Sequence, residues 1–227
     1  LATKFFLRVK QPDLILVHFV DLDAEAHDNG PFTREANAKV EYTDELIGDI
    51  LGVMPPDYAL ALVSDHGFER TDTAVNLARV LTDHARDVGI STYLLVARSQ
   101  AAVSAIQKLR TDAAYGIGPS VPIENLKKLA PESAENALAA WEPAPHFTFA
   151  AGLPGESTES EIFRKINRRG NHGYWPLRQD YRSVYLLWHK GIKAQRLPEI
   201  PMTSIAERFA AILELPYPFT HTAAPVR

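Results

Sequence analysis

Asp23 and His27 stand four residues apart in "VDLDAEAHDNGP" (20–31), so one helical turn would set both side chains on the same face. Asp65 and His66 directly follow the apolar run "YALALVS" (58–64) and precede Gly67. His172 stands in "GNHGYW", where Gly170 and Gly173 allow close backbone approach. Two aspartate carboxylates and three imidazoles form a donor set that suits zinc, at about three to four donors per ion. Taken singly, each motif has an ordinary reading. Asp23 could be a helix-start carboxylate beside an exposed His27, Asp65-His66-Gly67 a strand-to-helix turn, and His172 a loop histidine. Three Asp- and His-bearing turns in one chain point instead to a shared site.

The elements that would position these residues follow from periodicity. The run "DLILVHFV" (13–20) is almost continuously apolar and β-branched, which predicts a strand covered on both faces. Thr33 is the expected N-cap of a helix carrying Ala36, Val40, Ile47, Leu51 and Met54, halted by Pro55 and Pro56. "YALALVS" predicts a second strand, Thr73 to His84 a helix, "STYLLVA" (91–97) a third strand and 100–115 another helix. "SVYLLWH" (183–189) predicts a fourth strand. The stretch 202–215 predicts a last amphipathic helix with Ile205, Phe209, Ile212 and Leu213 facing inward. Strands alternating with helices indicate an α/β fold with a mostly parallel sheet flanked by helices. Residues at about 98–170 are less regular and are expected to form a small cap or insertion. In open α/β sheets functional groups gather beyond the carboxyl ends of strands, where Asp23 and Asp65-His66 would lie.

Composition narrows the partners. A length of 227 residues suits one sizeable core, and 46% hydrophobic with 23% charged residues is ordinary for a globular protein. A net charge of -4 lacks the basic footprint of bulk electrostatic nucleic-acid binding. The absence of cysteine removes thiolate metal sites, so ligands must come from carboxylates and imidazoles. No apolar run approaches the roughly 18 residues of a membrane span.

The order "VDLDAEAHDNGP", "VSDHGF", "GNHGY" resembles the type I phosphodiesterase/nucleotide pyrophosphatase family of the alkaline phosphatase superfamily. The ending "WHKGIKAQRLPEIPMTSIAERFAAILEL" is similar to the closing strand and helix of these enzymes. The resemblance implies an alkaline phosphatase-like fold and two divalent ions, zinc by family habit. Asp23, His27 and His172 would be ligands of one ion, and Asp65 and His66 of the other. The family completes the second site with an upstream Asp and a Thr or Ser nucleophile at a helix N-terminus, neither matched here. The chain, 1–227, is therefore expected to be the C-terminal part of one catalytic domain. It should be inactive alone and complemented by the upstream part of the same domain. The implied activity is metal-dependent hydrolysis of small phosphate esters, of diester or nucleotide type, in the periplasm or outside the cell. His18 stands where nucleotide pyrophosphatases tend to carry a base-stacking Tyr, a departure from the pattern. The rival expectations are a phosphomutase or phosphotransferase of the same superfamily, or a non-catalytic metal-binding domain.

Overall fold

The structure, a computed structural model, describes residues 2–150, 162–167, 169–178 and 181–217. The chain divides into two compact units. One comprises residues 1–19, 42–65 and 183–227, the other 20–41 and 66–182.

In the first unit a short helix α1 (Ala2–Phe5) runs into a π-helical turn over Phe6–Lys10. Lys4 pairs with Asp49, and the Tyr58 hydroxyl donates to the Pro12 carbonyl at 2.5 Å. The expected strand 13–20 does not form. Leu14, Leu16 and Val17 are exposed, and no strand among the described residues pairs with this run. β-Branched composition favours extended backbone, but a strand is made by a neighbour's hydrogen bonds.

The acidic stretch that follows forms α2 (Asp21–Asn29), in the second unit. Asp21 and Asp23 lie in its first turn, where the helix dipole favours negative charge. Gly30, at φ +93°, ends it. Next comes α3 (Arg34–Leu51). Thr33 caps it as expected: its Oγ1 accepts the Ala36 N–H at 3.2 Å and donates to the Gly30 carbonyl at 2.9 Å. In the first unit β1 (Ala59–Val63) and the later strand Tyr185–His189 pair antiparallel, from Ala59 opposite His189 to Val63 opposite Tyr185.

The second unit contains the main core. β2 (Glu69–Val75) occupies the start of the expected helix 73–84, and the rest is two 3-10 turns, Leu77–Arg79 and Thr82–His84. Leu77 and Leu81, spaced like one helix face, are both buried because the Leu81 N–H reaches the Leu77 carbonyl at 3.0 Å. The expected strand 91–97 is a hairpin of β3 (Val88–Ser91) and β4 (Leu94–Ala97). α4 (Gln100–Leu109) follows, its N-cap Ser99 accepting the Ala102 N–H at 3.1 Å. Its buried Ala102, Val103 and Ile106 pack with Leu77, Leu81, Leu95 and Phe149.

Within 98–170, β5 (Ile117–Val121), α5 (Ile123–Leu129), α6 (Pro131–Ala134), β6 (Ala139–Pro143) and β7 (His146–Phe149) precede β8 (Phe163–Lys165) and β9 (Gly170–Asn171). Residues 151–161 and 168 of the expected insertion lie outside the described residues. One sheet has the order β3-β4-β6-β5; the other has β7-β2-β8, with β9 also on β2. The strand at 185–189 is β10, and α7 (Ile205–Ile212) follows with Ile212 exposed rather than inward. The fold is α/β as expected, but its sheets are mixed. β2 and β7 run parallel, whereas the other described pairs are antiparallel. Short hairpin connections, as between β3 and β4, force antiparallel neighbours where a mostly parallel sheet was expected.

Candidate metal centre

Three segments of the second unit converge. α2 carries Asp23 and His27, the turn before β2 carries His66, and the turn after β9 carries His172. β2 and β9 are antiparallel with Glu69 opposite Asn171 and Arg70 opposite Gly170. Continuing that register sets Phe68 opposite His172, and their rings meet edge to face at 5.3 Å. Phe68 stands equally edge-on to His27 at 4.9 Å and to His66 at 5.7 Å.

α2 is fixed against β9 by close backbone approach. A Cβ on Gly170 would lie 2.0 Å from the Ala26 carbonyl oxygen. That closeness brings the Gly170 carbonyl to 2.9 Å from His27 Nδ1. A carbonyl only accepts, so Nδ1 carries the hydrogen and Nε2 is left with its lone pair. Metal-binding histidines are commonly oriented by such a bond.

His27 Nε2 faces Asp23 Oδ2 at 3.7 Å, and His172 Nε2 faces Asp23 Oδ1 at 3.6 Å. His66 Nε2 lies 3.8 Å from the same Oδ1. These separations exceed hydrogen-bond range. Asp23 Oδ1 is buried and has no hydrogen-bond partner among the described residues. One donor atom from each of Asp23, His27 and His172 lies within 4.8 Å of the others. Donors about 2.0–2.1 Å from a tetrahedral ion lie about 3.4 Å apart, so this cluster is slightly wider than a closed site. A buried carboxylate oxygen facing imidazole nitrogens without hydrogen bonds fits a cation between them.

The segments named in the sequence are thus placed as follows. Asp23, His27 and His172 come together, with His66 beside them. His66 and His172 stack, with centroids 3.6 Å apart and planes inclined by 11°. Asp65 is exposed at the bend after β1 and is the last residue of its stretch of the first unit. His18 is exposed in that unit too. Phe68, the Gly170 carbonyl and Tyr181 (below) escaped the sequence reading. For Phe68 a signal existed in its place directly after Asp65-His66-Gly67.

The family profile of type I phosphodiesterase / nucleotide pyrophosphatase matches residues 1–203. The chain belongs to this family. A comparison with curated protein sequences finds no match. Among solved structures, this phosphodiesterase-family chain is similar to human ectonucleotide pyrophosphatase / phosphodiesterase 5. The TM-score is 0.60 at 14% identity, over 94% of this chain and 57% of that one. The murine form of that protein, inactive and in complex with AMP, gives a TM-score of 0.54 at 14% identity, over 86% of this chain and 52% of that one. Phosphonoacetate hydrolase from Sinorhizobium meliloti 1021, in complex with phosphonoacetate, gives 0.55 at 16% identity, over 94% of this chain and 53% of that one. At these identities the likeness establishes the alkaline phosphatase-like fold of the phosphodiesterase-family chain. The chain spans little more than half the length of these neighbours.

Proposed function

We propose that the cluster holds divalent metal ions, zinc by its donors, and that the intact protein hydrolyses small phosphate esters of diester or nucleotide type. The observation that carries this reading is Asp23 Oδ1, buried without a hydrogen bond and faced by two imidazole nitrogens. Asp23, His27 and His172 would hold one ion. His66 would contribute to a second. The stack of His66 on His172 supports that division, because lone pairs in nearly parallel ring planes run side by side and do not converge on one ion. A divalent cation supplies Lewis-acid stabilisation of the charge that develops on a phosphoryl oxygen.

The chain's own residues do the rest of the positioning. The Gly170 carbonyl holds the His27 ring in one tautomer and one orientation. Phe68 meets three imidazoles in edge-to-face contacts and lends that side of the cluster apolar packing. One carboxylate against a dication leaves the site net positive, which favours an anionic phosphate ester. Family membership and the substrate classes in the neighbours' names support a phosphate ester, and the "ecto" in two of them supports action outside the cytoplasm.

The hydroxyls nearest in sequence to Asp65-His66 are poorly suited as nucleophiles. Ser64 Oγ accepts the Val184 N–H at 2.9 Å, and Thr71 is fully buried. The 227-residue chain alone is therefore expected to turn over a chromogenic phosphodiester far more slowly than the full-length enzyme. Zinc titration of this chain by calorimetry, alongside His172→Ala, tests the centre directly. We expect stoichiometric binding by the wild type and at least tenfold weaker binding by the variant. Equal affinity in the two would overturn the metal assignment. Metal binding with no phosphodiester turnover by the full-length protein would favour a metal-binding domain without catalysis.

A further inference from the structure

The turn that carries His172 has the Tyr93 ring packed against Gly173 and the Tyr181 hydroxyl bonded to its backbone. Gly173, at φ +98°, donates its N–H to the Tyr181 hydroxyl at 2.7 Å. The backbone of Tyr181 also packs on the other histidine turn. A Cβ on Gly67 would lie 3.2 Å from the Tyr181 Cα and carbonyl carbon. Tyr181 thus touches the residue after His66 and the residue after His172, the two histidines whose rings stack. We propose that Tyr181 is a positioning residue of the metal centre, setting the spacing between His66 and His172 through its bond to Gly173. The inference rests on the metal-centre reading above.

The surroundings of Tyr181 make it a firm support. It is buried, and its ring meets Tyr174 edge to face at 6.0 Å. Tyr174 is anchored in turn, its hydroxyl donating to the Phe147 carbonyl at 2.9 Å and its ring lying 5.2 Å from the Arg178 guanidinium. Arg178 Nη2 donates to Glu69 of β2 at 2.8 Å, with both side chains largely buried. The chain of contacts runs from β2, through Arg178 and Tyr174, to Tyr181 and the His172 turn. Burial raises the Tyr181 phenol above its ordinary range, opposed by the N–H groups of Gly173 and Tyr174, so the hydroxyl stays a neutral acceptor at physiological pH.

Tyr181→Phe removes one oxygen and keeps the ring. Partners behind metal ligands typically tune affinity by 10- to 100-fold. We expect the variant to bind zinc at least tenfold more weakly, and its cobalt(II)-loaded form to show a shifted visible absorption spectrum. Its apo circular dichroism should match the wild type. Tyr93→Phe is the control, since the Tyr93 ring also packs on Tyr174, at 4.8 Å, but leaves the Gly173 bond intact. It should bind zinc as the wild type does. Wild-type zinc affinity and cobalt spectrum in Tyr181→Phe would overturn the positioning role and leave the metal centre standing. Equal loss in both variants would also overturn it, as a general packing effect. A wild type that binds no zinc would overturn the metal centre and this inference together. Should Tyr181→Phe not fold, hydrogen exchange of the wild-type Gly173 amide decides: strong protection supports the bond, and exchange at the rate of an open loop overturns it.

Discussion

Asp23 is the residue on which the site's stability and its chemistry pull in opposite directions. Its Oδ1 is buried without a hydrogen bond, a state that costs about 1–3 kcal/mol in a folded protein. The nitrogens it faces lie just beyond hydrogen-bond range, so the chain alone does not offset that cost. Asp23→Asn keeps the shape and removes the charge that is buried with Oδ1. We therefore expect the apo variant to be as stable as the wild type or more so, by up to about 1 kcal/mol in urea unfolding, while its zinc affinity falls at least tenfold. An apo variant destabilised by more than 1 kcal/mol would show that the carboxylate already has its counter-charge without metal.

At the scale of elements, local signals survive wherever a segment supplies its own partners. α4 is of this kind: Ser99 caps it and Ala102, Val103 and Ile106 form its buried stripe. Ser99→Ala should cost about 1 kcal/mol, read as a lowered urea midpoint with unchanged slope, because the Ala102 N–H loses its acceptor. The Thr33 cap was legible for the same reason, whereas β1 and β10 were legible from apolar composition and each finds its partner in the other. Two segments were misread because their state is decided elsewhere. Residues 13–20 have the composition of a buried strand but no strand partner among the described residues. Thr73 to His84 has helical spacing at Leu77 and Leu81, but the chain reaches it as β2, held by β7, β8 and β9. The alternation of Thr71, Thr73 and Val75 with Arg70 and Asp72 was the overlooked sign. Of the site, Asp23, His27 and His172 were readable from spacing and resemblance. Tyr181 was not, because no motif surrounds it and its importance exists only once β2 and the His172 turn are side by side.

For the molecule as a whole, the second unit contains a linked set of phenols, Tyr174 and Tyr181 buried and Tyr93 half-buried. Burial pushes Tyr93 up to about 12 and raises Tyr174 and Tyr181 as well, each above the ordinary tyrosine value of 10.0. The folded state then binds these protons more tightly than the unfolded chain does. Stability contributed this way is complete below pH 10 and declines as pH rises from 10 towards 12. We expect the thermal midpoint to drop steadily across that window, with a shallower slope in Tyr93→Phe. A midpoint independent of pH between 10 and 12 would show that the phenols ionise without penalty in the fold. Among the described residues no helix is long and apolar enough to cross a membrane.

The close approach of Gly170 to Ala26 also bears on how this protein can vary by inheritance. Every glycine codon turns, by a single base change, only into another glycine codon, a stop, or a residue with a Cβ. Each such residue would drive that carbon into the Ala26 carbonyl oxygen, 2.0 Å away, and so part α2 from β9. The position is closed to every one-step missense change, whatever the chemistry of the incoming side chain. In a library of random point mutants selected for metal binding, codon 170 should therefore record silent changes alone.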